Sequence, residues 1–198
     1  MVWEQLSSDA DALNAKRRDK LIGVFIGILA VVLAVCSMGA GNAAQDATLK
    51  NIEASNTWAF FQAKNARRQA LRLHSDDFAV MLAANPAMPD DIKVMIKEKI
   101  AIYAEQDKKL TSDPEKNEGL DELWTKAKNL ETARDEALKR APYFDYGQAL
   151  LQIAIVLASI AIISGGNALL VGSAIVGMLG VVATAGGFTL AFPLPFAG

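Results

Sequence analysis

The sequence lacks charge over two long stretches. No Asp, Glu, Lys or Arg occurs between Leu21 and Gln45, and none occurs from Tyr146 to Gly198. The remaining positions hold 20 basic and 22 acidic residues, so the formal net charge of −2 conceals a strong segregation. Uncharged, apolar stretches of this length are foreign to a single water-soluble globular domain and typical of membrane spans.

Cysteine and histidine are almost absent, since Cys36 and His74 are the only ones. A disulfide scaffold needs paired cysteines, and a zinc site needs several Cys or His ligands. No phosphate-binding loop, nucleophile elbow or dinucleotide fingerprint occurs in the chain. The 52% hydrophobic content excludes a disordered chain. We therefore expect no metal, no cofactor and no enzymatic activity.

The uncharged stretches predict three transmembrane helices, over residues 21–41, 147–164 and 167–190. The basic residues before the first span also fit the start of a secretory signal, but the apolar run exceeds a signal core, so we expect an uncleaved anchor. The short Ser-Gly-Gly-Asn turn between the last two spans predicts a transmembrane hairpin. Tyr143, Phe144 and Tyr146 stand before the second span and are predicted to anchor it in the headgroup layer.

The charged residues 42–146 are predicted to be helical, with breaks near 85–89 and 112–119, where Pro, Gly and Asp cluster. The expected fold is an all-α membrane protein whose first and second spans are joined by an antiparallel helical hairpin or coiled-coil stalk. Residues 1–20 form an amphipathic N-terminal segment, with a stripe of Trp3, Leu6, Ala10 and Leu13, and residues 191–198 form an interfacial Pro/Phe tail.

Both stalk ends adjoin a span, which sets an approximate register for the stalk. Positions that sum to about 188 are predicted to face each other, since 41 and 147 both lie at the membrane surface. The expected ion pairs join Arg67, Arg68 and Arg72 to Asp121, Glu122 and Glu118. These acidic partners make nucleic-acid binding unnecessary as a role for the arginines. A packing face is predicted at Ile52, Ala59, Ala63, Ala66, Ala70 and Leu73, which recur at helical spacing.

Small residues recur at three- and four-residue spacing on all three spans, where close backbone approach drives helix association. They are Gly23, Gly27, Ala30, Ala34, Ser37 and Gly41 on the first span, Ala154, Ala158 and Ala161 on the second, and Ser173, Gly177 and Gly180 on the third. Packing within one chain accounts for part of them. Three seams on three helices also favour a homo-oligomer.

The orientation of the spans rests on the distribution of Lys and Arg. Four basic residues precede the first span, whereas Lys50 is the only one in about twenty residues after it. Basic residues before the second span, at 128, 134, 139 and 140, oppose this bias. Because the first span usually dominates insertion, we expect a cytoplasmic N-terminus and a periplasmic stalk in a bacterial inner membrane.

Two segments of the chain carry a family resemblance. The sequences NTWAFFQAKNAR at 56–67 and YFDYGQALLQIAIVLAS at 143–159 resemble a bacterial membrane family catalogued as domain of unknown function 4337. The resemblance implies three spans with a helical middle, and often several Arg in the turn between the last two spans. Here that turn has no charge. The family implies no activity and no site residues.

The expected function is therefore a non-enzymatic homo-oligomeric scaffold or assembly partner in the envelope. Its expected partners are membrane lipid, further copies of the chain and, as an open alternative, an unidentified protein. A second hypothesis is an oligomeric channel or transporter subunit with a polar path along the second span, marked by Gln148, Gln152, Ser159 and Ser164.

Overall fold

The computed structural model describes residues 2–193, with the side chains of residues 2–12, 14 and 15 excepted. Its five helices are α1 (Val2–Ala84), α2 (Asp90–Thr111), α3 (Leu120–Leu138), α4 (Ala141–Ser164) and α5 (Asn167–Thr189). Residues 2–193 contain no β-strand. The all-helical prediction is confirmed over this range.

Helix α1 runs without interruption for 83 residues. The sequence explains this length, because the first proline after Met1 is Pro86 and the glycines of α1 are scattered singly. The N-terminal segment, predicted as a separate element, is part of this helix. Of its predicted stripe, Leu13 is exposed, and the side chains of Trp3, Leu6 and Ala10 lie outside the described residues.

Helix ends coincide with the predicted breaks at 85–89 and 112–119. Pro89 precedes α2, and Asp90 and Asp91 occupy its first turn, where carboxylates interact favourably with the helix dipole. A further break, not predicted, separates α3 from α4 at Lys139 and Arg140, directly before Pro142 in the first turn of α4. A proline has no N–H to donate to the preceding turn, so a new helix begins there.

The turn between α4 and α5 depends on a left-handed residue. Gly165 has a φ of 69°, and its N–H donates to the Ala161 carbonyl at 3.1 Å. Glycine adopts this conformation without a Cβ penalty. The chain reverses within two residues, and α5 begins at Asn167.

The chain divides into two compact units. Residues up to Ala47, together with those from Glu136 onward, form the apolar unit, and Thr48–Asp135 form the charged unit. Three helices are long and apolar enough to cross a membrane, in α1, in the α3–α4 segment and in α5. The outer surfaces of these helices carry large apolar side chains, among them Val31 of α1, Ile163 of α4 and Met178 of α5, at 65%, 87% and 66% exposure.

The charged unit brings α1 against both α2 and α3. The rings of Phe78 in α1 and Tyr103 in α2 stack with centroids 6.0 Å apart. Arg134 of α3 donates to the Asn51 side chain of α1 at 3.3 Å. In α2, Ile96 is buried.

Candidate functional site: the helix-packing surfaces

The small residues of α4 and α5 meet each other. Ser173 of α5 is fully buried, and its hydroxyl donates to the Ala154 carbonyl of α4 at 2.7 Å. Ala158 and Ala161 are likewise buried. An ideal Cβ placed on Gly180 would lie 2.8 Å from Leu151 Cγ, so only glycine allows this approach. Two of the three predicted seams therefore pack within one chain.

Helix α1 packs against this pair along a different row of residues. Its buried positions in the apolar unit include Leu29, Cys36 and Ala43, which recur every seven residues. Cys36 is fully buried, and its thiol donates to the Phe144 carbonyl of α4 at 3.4 Å. A Cβ on Gly39 would lie 2.6 Å from the Phe144 ring. Sequence reasoning missed Cys36 and Gly39, although Cys36 lies seven residues from both Leu29 and Ala43.

The predicted small-residue seam of α1 faces away from the rest of the chain. Ideal Cβ atoms on Gly23, Gly27 and Gly41 meet no atom within 4 Å. The other members, Ala30, Ala34 and Ser37, are also exposed. In the described part of the chain this row therefore contacts no other helix closely, while the seams on α4 and α5 are occupied.

The aromatic residues at the start of α4 have two different environments. Phe144 is 1% exposed and packs edge-on against Phe188, with centroids 5.1 Å apart. Tyr143 is also buried, and its hydroxyl donates to the Phe192 carbonyl. Of the three predicted anchors, only Tyr146 has an exposed ring. Tyr143 and Phe144 fill space between helices because the glycines opposite them leave room for rings.

The predicted ion pairs of the charged unit have different partners in the structure. Arg72 binds Asp107 of α2 through two hydrogen bonds, of 2.7 and 2.9 Å. Arg68 donates to the Asn65 side chain at 3.0 Å and to the Thr111 hydroxyl at 3.4 Å. Arg67 is exposed, and no ion pair of its side chain occurs among the described residues. The structure places α2, rather than α3, beside the part of α1 that carries Arg68 and Arg72.

The acidic residues of the same prediction lie at the start of α3. Glu118 pairs with Lys64 at 3.6 Å, and Lys64 also donates to the Glu118 carbonyl. Glu122 accepts from the Ser112 hydroxyl at 2.7 Å, and this bond lowers the pKa of its carboxyl. Asp121 is exposed, and its carbonyl accepts from Thr125 one turn later in α3. Glu122 thus closes the loop between α2 and α3.

A tryptophan that the pattern did not single out joins α1 to α3. The Trp58 indole N–H donates to the Glu131 carboxylate at 2.8 Å. Lys128 binds the same carboxylate at 2.8 Å and lies 5.6 Å from the Trp58 ring centroid. Hydrogen bonds from Lys128 and then from Trp58 lower the pKa of Glu131. Positions 58 and 131 sum to 189, close to the predicted register of 188.

The polar residues of α4 do not converge on one another. Ser159 donates to the Ile155 carbonyl of its own helix at 2.8 Å, and Gln152 is exposed. Within the part of the chain that the structure describes, no group of three His, Cys, Asp or Glu residues is placed to hold a metal ion.

The helices of the apolar unit have apolar outer surfaces and pack through glycines. These features define an all-helical protein with helices long and apolar enough to cross a membrane. The chain belongs to the family described as domain of unknown function DUF4337, which matches residues 18–190. The match begins inside α1 and extends through the end of α5. No curated protein and no solved structure matches the chain.

Proposed function

We propose that this chain is a bacterial inner-membrane protein that self-associates and serves as a non-enzymatic scaffold in the envelope. The observation that carries the proposal is the outer surface of the apolar unit. Its exposed side chains on three helices are large and uncharged, including Val24, Ile28, Ile153 and Ile175 at 51% to 62% exposure. Such a surface is stable in hydrocarbon and insoluble in water.

A contact between α1 and the α4–α5 turn supports the proposed orientation. Arg18, just before the apolar part of α1, donates to the Gly165 carbonyl in the α4–α5 turn at 2.6 Å. The turn has no charge of its own, so Arg18 brings a positive charge to it from α1. The basic cluster 16–20 and the turn therefore share one end of the apolar unit. Their combined positive charge favours the cytoplasmic side for both.

The charged unit then forms the proposed antiparallel helical hairpin outside the membrane. Contacts at Trp58–Glu131 and at Arg134–Asn51 support it, because residue numbers rise along α1 while they fall along α3. In the proposed orientation this hairpin is periplasmic. It offers long helical surfaces to other proteins.

Self-association is proposed to use the exposed small residues of α1. Lipid gives no hydrophobic drive for helix pairing, so packing at small residues must supply it. The row from Gly23 to Gly41 is the seam that residues 2–193, as far as the structure describes them, leave uncovered. A second copy that packs there would make the same kind of close contact at small residues that joins α4 to α5.

The test is the mass of the purified chain in a mild detergent, with two matched glycine variants. Gly27→Leu fills the proposed contact, whereas Gly172→Leu adds the same side chain on α5, at a site where a Cβ also meets nothing within 4 Å. We expect the wild type and Gly172→Leu to be oligomeric and Gly27→Leu to dissociate. A monomeric wild type, or its extraction from membranes by alkaline buffer, contradicts the proposal.

A channel is the second candidate. Gln152 and Ser159 are seven residues apart and both exposed on α4, so an assembly could bring these polar groups together around an axis. Conductance of reconstituted bilayers that falls with Gln152→Leu would support this function. Equal conductance in protein-free bilayers would exclude it.

A further inference from the structure

One face of α1 in the charged unit is exposed and has no charge. We call it the uncharged face. Its central row begins at Leu49 and Ile52, runs through Asn56 and four alanines, and ends at Leu73, with alternating steps of three and four residues. Every position in this row is exposed. It includes the packing face that the sequence predicts. However, α1 contacts α2 and α3 through other residues, among them Trp58, Arg68 and Phe78. The buried Ala54 and Thr57 lie on the side of the helix opposite this row.

The composition of this face is that of an interface core. Exposed surfaces carry roughly 25–35% Asp, Glu, Lys and Arg, whereas interface cores are depleted in them. The neighbouring exposed positions Ser55, Gln62 and Gln69 are also uncharged. Of the charged residues of α1 between 49 and 73, Glu53 and Arg67 border the face, and those at positions 50, 64, 68 and 72 lie on the rest of the helix surface.

We propose that the uncharged face pairs in parallel with the same face of α1 in a second copy of this chain. The inference rests on the proposed function, because a shared membrane holds two copies in the same direction and near each other. Steps of three and four residues are the pattern by which two helices form a two-stranded coiled coil. The central alanines allow the two backbones to approach closely.

Asn56 favours a second copy over an unrelated partner. It occupies the position that corresponds to the first core site of a heptad, where a lone asparagine specifies the register of parallel two-stranded coiled coils. A carboxamide has both a donor and an acceptor, so it is complementary to its own copy across a two-fold axis. The same helix position in the partner supplies the matching group.

The flanking residues are compatible with a parallel pair. In this arrangement a residue on one flank faces the residue five positions later in the partner helix. Gln62 then faces the partner's Arg67, and Gln69 faces the partner's His74. No two like charges meet along the pair. Arg67, which binds no carboxylate among the described residues, gains an amide acceptor.

Disulfide formation between copies tests the pairing directly. Ala59→Cys and Ala66→Cys each place a thiol in the central row, where a parallel two-fold pair brings identical positions side by side. Ala104→Cys is the matched control, since Ala104 is an exposed alanine of α2. Native Cys36 is buried and serves as the background in the wild type. Membranes containing the full chain are reduced and then exposed to a mild oxidant.

We expect covalent dimers from the two central-row variants at an initial rate about tenfold above that of Ala104→Cys. Equal rates overturn the proposal, and so does a crosslink that forms only to a protein of different mass. Ala66→Arg should also weaken the oligomer in detergent, while Ala104→Arg should not. If these variants behave alike but the wild type remains oligomeric, the pairing fails and self-association stands. A monomeric wild type defeats both.

Discussion

Replacing Gly180 with alanine tests the packing between α4 and α5. The added methyl group would lie 2.8 Å from Leu151 Cγ and 3.1 Å from the Leu151 backbone nitrogen. Real carbon contacts are longer than the first distance, and the backbone nitrogen cannot rotate away as a side chain can. The two helices must therefore separate locally, which costs about 1–3 kcal/mol for one methyl group in a well-packed core.

Gly172, on the same helix, is the control position, where we expect alanine not to destabilise the protein. A Cβ at Gly172 meets nothing within 4 Å, so Gly172→Ala has no steric cost. Alanine in a helix interior is more favourable than glycine by roughly 0.5–1 kcal/mol. Because both glycines lie in the interior of α5, this gain is common to the two variants, and their free energies of unfolding should differ by the steric cost of about 1–3 kcal/mol.

The assay is reversible unfolding of the full chain in mixed micelles with increasing denaturing detergent, followed by circular dichroism. We expect Gly180→Ala to unfold at a lower detergent fraction than the wild type, and Gly172→Ala at the same or a higher fraction. If both variants shift equally, the close approach at Gly180 does not limit packing, and the reasoning on the α4–α5 seam is refuted.

Three further results are expected. Phe144→Ala should lower the free energy of unfolding by about 3–5 kcal/mol, because it empties a fully buried site. Phe188 is half exposed, so Phe188→Ala should lower this free energy less, and equal losses would contradict the packing described. Cys36 should resist maleimide in the folded chain and react quickly after denaturation, since its thiol is fully buried; fast labelling of the folded chain would show otherwise. Hydrogen bonds from Arg72 hold the pKa of Asp107 below its ordinary value of 3.8, so this pair stabilises the charged unit above that pH and loses its effect as the pH falls through the lowered pKa. Carboxyl NMR titration should give a higher pKa for Asp107 in Arg72→Leu, and an unchanged pKa would refute the pairing.

The apolar spans and the breaks at 85–89 and 112–119 could be predicted because they depend on local composition. Uncharged stretches, Pro86 and Pro89 act within a few residues, whatever the rest of the chain does. The break before Pro142 depends on the same local chemistry. It was missed because the alanines and leucines around it favour a continuous helix.

Which side of α1 is covered could not be predicted from its pattern. The exposed row from Ile52 to Leu73 is more uniformly apolar than the covered row, which includes Lys64 and Arg68. The covered row is buried because the polar ends of these long side chains reach partners, such as Glu118 and Thr111, while their stems pack. The sequence identifies the long side chains of Lys64 and Arg68, but it does not identify the residues to which their polar ends bind.

The ion pair of Arg72 illustrates a related limit. The predicted register considered only the two helices that adjoin spans, so it assigned Arg72 to Glu118. Helix α2 lies beside the same segment of α1, and Asp107 reaches the guanidinium with both carboxylate oxygens. Packing among three helices, rather than the register of two, determines the partner.

The unbroken course of α1 through the charged unit has a consequence for how sequences of this kind can change in length. Each residue added to an α-helix turns all later positions by about 100°. A one-residue insertion between Trp58 and Phe78 would turn Phe78 away from Tyr103 if Trp58 kept Glu131, whereas a seven-residue insertion would restore the direction of Phe78 to within about 20°. Insertions and deletions should therefore be concentrated in the loops 85–89 and 112–119, because no helix there passes the rotation on to later residues.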